Sequence, residues 1–297
     1  MTSIPARHFA FFRIALGLYL ALHFAQLLPY GAELFSNQGM LPQARLNLTF
    51  GILPNPLAVW DSPSSITLFL SALLLLSLAF AAGLQRRMAA LLLWFGWACL
   101  FNRNNLILNP SLPYIGALLL LSTLLPLGES WRRGQSEPGW RFPASVAWAA
   151  WLLLAAGYTY SGWMKLLSPS WLDGTALFHV LQNPLARPGI FRDALLHLPP
   201  SWLQIATWVS LAGELLFLPL SFRLTTRLVA WLTMFILQIV ILGVVNFADL
   251  TIAMLLFHCF VFDPRWFAIL LRRKTAGRLR PRQAEMGPRV ARKLESA

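Results

Sequence analysis

Sparsely charged apolar runs of about 15 to 22 residues recur along this chain, near positions 8–28, 65–84, 88–102, 113–127, 144–165, 201–221, 225–245 and 248–263. Roughly 20 such residues in helical form cross the hydrocarbon layer of a bilayer. A backbone in lipid must satisfy its own hydrogen bonds, which leaves helices or a closed barrel. The runs therefore predict an all-α integral membrane protein, a bundle of about eight transmembrane helices. The third, fourth and eighth runs are short, and one of them could instead be re-entrant.

Composition agrees with lipid as the solvent. Of 297 residues, 57% are hydrophobic and 12% charged, whereas a soluble domain carries about 25% charged residues. A net charge of +13 on a soluble chain would point to nucleic acid. Its placement argues otherwise, so nucleic acid is not expected as a partner. Ten of the 24 basic residues fall between Arg265 and Lys293, and most others occupy the gaps between apolar runs. With the N-terminus in the cytoplasm, 19 basic residues lie inside and five outside: Arg45, Arg103, Lys165, Arg187 and Arg192. That asymmetry predicts cytoplasmic N- and C-termini in a bacterial-type inner membrane. It also divides the chain into a membrane domain, 1–266, and a basic, disordered cytoplasmic tail, 267–297. The tail is either held at anionic lipid headgroups or a plain solvated anchor.

Other classes find little support. Cys99 and Cys259 have no neighbouring thiol or ligand spacing, so no disulfide framework, redox motif or metal site is expected. The first run is too long for a signal h-region and lacks an A-x-A cleavage site, and is read as a retained helix. Nucleotide-driven transport is disfavoured, since no Walker loop, dinucleotide fingerprint, metalloprotease helix or fixed-period repeat occurs.

On this layout the long connections 29–64 and 167–200 face the exterior. In the second, Asp173 can cap a short helix whose apolar face is Ala176, Leu177, Val180 and Leu181, with Asn183-Pro184 ending it. Such a helix lies flat at the interface. Trp60, Trp163, Trp171 and Trp202 fit an aromatic belt there.

Polar side chains at bilayer depth cost about 2.5 kcal/mol or more each and need a partner, water or an interface. Arg13 and Glu214 stand at similar counted depth in the first and sixth runs and can form a structural ion pair. Asn102, Arg103, Asn104, Asn105 and Asn109 either line a hydrated vestibule that binds a ligand or mark the water boundary. Gln238, with Asn246 and Asp249 in the last outer hairpin, suits interhelical hydrogen bonding. Among the histidines, His23 and His258 show no ligand spacing, and His179 on the surface helix is kept as a binding candidate. Lys165 precedes every other lysine by more than a hundred residues. It is either a snorkelling anchor or, desolvated by its aromatic neighbours, a base.

Several of these pieces resemble the HTTM family, related to the membrane portion of vitamin K-dependent gamma-carboxylase, over nearly the whole chain to Trp266. They are Arg13-x-x-Leu16-Gly17-Leu18, Ser36-Asn37-Gln38-Gly39-Met40-Leu41-Pro42, Asn102 to Asn109 leading into Pro126-Leu127-Gly128, and Ser161-Gly162-x-x-Lys165-Leu166 followed by Trp171-x-x-Gly174-x-Ala176-Leu177. The resemblance implies that Lys165 acts as the base toward a reduced, vitamin K-like quinone. The polar sites above then give Asn102, Asn104, Asn105, Asn109, Trp171, Asp173, Gly174, His179, Gln238 and Asn246 as the expected outward-facing binding set, with a peptide or protein substrate on the exterior side as a further expectation. Two departures stand out: the large lumenal domain of the carboxylase is missing after the last run, and Gln238 replaces a histidine of many relatives. The alternatives are a non-catalytic scaffold or peptide-maturation partner and, less favoured, a transporter, for which no inverted repeat is visible.

Overall fold

A computed structural model describes residues 4–107 and 110–266. Asn109 and the tail 267–297 lie outside the described residues. The described chain is helical, with no strand and one isolated bridge between Ala186 and Val245. Its principal helices are α1 (Ala6–Leu27), α2 (Pro63–Ala82), α3 (Arg86–Arg103), α4 (Leu112–Thr123), α5 (Ala144–Lys165), α6 (Ala176–Gln182), α7 (Ile190–Leu196), α8 (Pro200–Leu215), α9 (Leu224–Val244) and α10 (Ala248–Phe260).

A helix stands at each of the eight apolar runs, but three are long and apolar enough to cross a membrane: Ala6–Phe35, which prolongs α1, together with α2 and α9. The others fall short for local reasons. At 12 and 13 residues, α4 and α10 rise about 18 and 20 Å, less than a hydrocarbon layer. α3 carries Arg86, Arg87 and Arg103, and α8 stops at Leu215 before a separate turn, Phe217–Leu220, that contains Pro219. α5 has the length but ends in Gly157, Tyr158, Thr159, Tyr160, Ser161 and Lys165.

Sequence punctuation sets the boundaries. Ser62 accepts a hydrogen bond from Ser65 N–H and Pro63 occupies the first turn, which starts α2. Gly83 at φ 85° closes it in the left-handed region. The helices are apolar on both faces. Leu16, Leu70, Leu93 and Leu154 are buried in one continuous core, while Leu22, Leu68, Leu75 and Leu152 are more than half exposed. Such a surface suits lipid better than water.

α1 packs along α2, α3 along α4, α5 along α8, and α9 along α10. Where α1 and α3 begin and α4 has just ended, Glu129 Oε1 lies 3.2 Å from Arg13 Nε and 3.0 Å from Arg86 Nε. Arg13 donates to the carbonyls of Phe80 and Ala81, and Arg86 to those of Ser122, Leu125 and Pro126. The expected Arg13–Glu214 pair is therefore not formed.

The reason is register. α8 runs antiparallel to α5 but is displaced along it. Glu214 and Leu215 sit beside Gly162, Trp208 Nε1 donates to Leu172 O, and Gln204 Nε2 donates to Asp173 O. The first half of α8 thus extends past the end of α5, which brings Glu214 level with Lys165.

Candidate functional site

Lys165 Nζ donates to Glu214 Oε1 at 2.5 Å. Gly162, one turn before Lys165 and on the same face, makes this approach possible. A Cβ there would meet Leu215 N at 3.0 Å and Glu214 Cβ at 3.1 Å. Beyond the helix end, Pro169–Leu172 forms a short turn that sets Trp171 under the amine, with Nζ 4.4 Å from the ring centroid, a cation–π contact. Gly174 at φ 85° packs against Gln204 and Trp208, and those two side chains bond the carbonyls just before it. Asp173 faces outward and accepts from the Thr175 hydroxyl and N–H, which hold its carboxyl below the ordinary carboxylate range.

The pair opens on a cavity of about 340 Å³ between α4, α5, α6, α8, α9 and α10. Its polar wall comprises Lys165, Glu214, Gln238, Tyr158, Tyr114, Ser161, Ser210 and Thr251, and the rest is largely apolar. Glu214 is 5% exposed, and its Oε2 is buried without a hydrogen-bond partner. One carboxylate oxygen thus holds the lysine while the other has no hydrogen-bond partner. Gly157 makes room for the Tyr114 hydroxyl, which would lie 2.8 Å from a Cβ at that position. Gln238 Nε2 donates to Tyr158 OH at 3.1 Å, and that hydroxyl lies 2.8 Å from His258 Nε2.

Of the residues singled out in the sequence, Lys165, Trp171 and Gln238 meet at this cavity, and Glu214 joins them with a different partner. Asp173 and Gly174 shape the loop behind Trp171. His179 is exposed on α6, which contributes Leu177 and Val180 to the wall instead. Asn246 is exposed and accepts from Arg187 Nε at 3.1 Å. The described part of the asparagine segment, 102–105, is not brought here. Arg103 donates to Leu41 O and lies 3.6 Å from Asp61 Oδ2, and Asn104 Nδ2 donates to Leu34 O, so these two tie down the connection between α1 and α2. Asn102 Nδ2 donates to Ala98 O within α3, and Asn105 is half-buried outside the cavity wall.

Tyr158, Tyr114 and His258 were not singled out as site residues, because each reads as an ordinary helix residue until six helices are placed together. A smaller cavity of about 150 Å³ holds His23, Asn104 and Asp249, with Tyr19 OH donating to Asp249 Oδ1 at 2.9 Å. A larger one of about 640 Å³, lined by Trp94, Trp97 and Leu120, has no titratable group. Among the described residues no cluster of His, Cys, Asp and Glu could hold a metal. Compared with known proteins, the chain matches no family model, no curated protein and no solved structure.

Proposed function

We propose that this chain is an eight-span HTTM-type protein of a bacterial inner membrane, with both termini in the cytoplasm, that binds a quinol or similar lipid-soluble molecule and handles its proton at the Lys165–Glu214 pair. The observation that carries the reading is the unpartnered Oε2 of Glu214, a residue that lines a cavity whose walls are otherwise largely apolar. A second support is a groove of about 460 Å³ along α8 and α9, lined mainly by Leu, Ile and Val, which shares Leu177, Val180, Ser210, Leu237, Ile241 and Val245 with the cavity. An apolar tail can lie in that groove while a polar head reaches the pair. The cavity volume suits a small-molecule ligand, for which about 300 Å³ is the lower end.

The residues fit a reduced quinone. Bound, it would supply an acidic hydroxyl and reducing electrons. Glu214 Oε2 accepts the proton, and Lys165 keeps its ammonium beside the position the proton has left. The same end state follows if Glu214 starts protonated and Lys165 neutral, with the amine as acceptor, so the pair rather than the lysine alone is the base. Trp171 covers the amine and limits water.

Purification in mild detergent with mass spectrometry of co-purifying lipids tests the proposal. A stoichiometric quinone supports it, lost in Lys165→Ala and Glu214→Leu. A stable peptide or protein partner without quinone overturns it in favour of the scaffold reading, and full activity of Lys165→Ala in the native membrane overturns the proton role.

A further inference from the structure

Gln238 of α9, Tyr158 of α5 and His258 of α10 form one hydrogen-bonded chain. The first two line the cavity, whereas His258 is wholly buried behind them. The single proton of the Tyr158 hydroxyl couples the three. If it is donated to His258 Nε2, the Tyr158 oxygen accepts from the Gln238 amide, leaving Gln238 Oε1 as an acceptor for the cavity. If His258 Nε2 is itself protonated, the hydroxyl turns to Gln238 Oε1 and the amide N–H groups are left instead.

The partners of the Tyr158 hydroxyl decide between the two. Its Nδ1 is buried without a hydrogen-bond partner. Trp231, Phe235 and Phe217 stand around the imidazole at 5.6, 5.8 and 6.3 Å, with interplanar angles of 73°, 71° and 83°. The Gln238 amide donates to the Tyr158 oxygen, so the hydroxyl's own proton is directed at His258 Nε2. The proton therefore belongs on Nδ1, and Nε2 accepts.

We infer that His258 is a positioning residue that acts through Tyr158 to present Gln238 Oε1 to the cavity as a second acceptor beside Glu214 Oε2, so that the site selects a lipid-soluble ligand with two separate hydrogen-bond donors. The ligand half of this inference rests on the function proposed above. The tautomer half stands on the hydrogen-bonded chain alone.

Histidine-specific 15N labelling and solid-state NMR in bilayers test the tautomer, with His258→Asn assigning the resonances. The expected result is a protonated Nδ1 and an unprotonated Nε2 that moves in Tyr158→Phe. A protonated Nε2, or an Nε2 signal indifferent to Tyr158→Phe, overturns the role of His258. Two probes then test selection by quenching of tryptophan fluorescence: a naphthohydroquinone with a short alkyl chain, and its monomethyl ether. The wild type is expected to prefer the diol by about tenfold, and Tyr158→Phe and Gln238→Leu to lose that preference. A preference retained in Tyr158→Phe overturns the donor count. Binding of neither probe overturns the ligand reading and the donor count with it, while the NMR result still decides the role of His258.

Discussion

Glu129 and Glu214 are both buried carboxylates beside cations, and they are finished differently. Glu129 lies between Arg13 and Arg86, and these guanidinium groups also donate to carbonyls of α2 and of the segment that ends α4. Glu214 has one lysine, an aromatic face behind that lysine, and an unpartnered oxygen on a side chain that lines a cavity. The comparison teaches that buried charge alone does not mark a site. The mark is a polar atom left unsatisfied where a ligand has room, because a buried polar group without a partner costs about 1–3 kcal/mol.

The largest effect that would break this contrast is at the closed cluster. Glu129→Ala leaves two buried arginines facing each other and should destabilise by about 3–5 kcal/mol, seen as lost folded yield and a lowered melting temperature in detergent. Lys165→Ala should leave folding and insertion intact, since the cavity can admit water to Glu214, while proton transfer falls by about a hundredfold or more. A collapse of stability in Lys165→Ala, or none in Glu129→Ala, would erase the distinction.

Gly162→Ala separates the two roles more finely. Its methyl would press on Leu215 N and Glu214 Cβ, so α8 must move, at about 1–3 kcal/mol. Ligand binding should weaken, whereas the Arg13–Glu129–Arg86 cluster should keep its stability, readable by a double-mutant comparison with Glu129→Ala. The smallest effect is at Asp173. Its carboxyl is held below the ordinary range, so its contribution is present above that range and lost as pH falls through the lowered value. Asp173→Asn should remove that pH dependence from the order of the Trp171 turn, measured by tryptophan fluorescence.

The helices were legible in the sequence because apolar runs report burial in lipid or core whatever the tertiary arrangement. The number of spans was less so, since length decides it, and α4 and α10 are shorter than their apolar stretches. Lys165, Gly162 and Trp171 sit within one stretch of ten residues, and their joint role follows from that proximity. Glu214 was placed with Arg13 by counting depth along helices assumed to be flush. Nothing in the run 201–221 announces that α8 begins beyond the end of α5. The asparagines of 102–105 misled for a related reason: amides suited to a ligand are equally suited to the carbonyls of a loop that leaves no regular pattern. His258 looked unremarkable because its partners are 100 and 27 residues away.

The arginine cluster also sets a timetable for biogenesis. Chain order delivers Arg13 first, and α2 brings the Phe80 and Ala81 carbonyls that it needs. Arg86 must then wait until α4 has been made and Ser122, Leu125, Pro126 and Glu129 have emerged. Until then the nascent bundle holds a costly unpaired cation at one end, and its capture joins the first four helices into a base on which α5, α8, α9 and α10 later assemble the cavity.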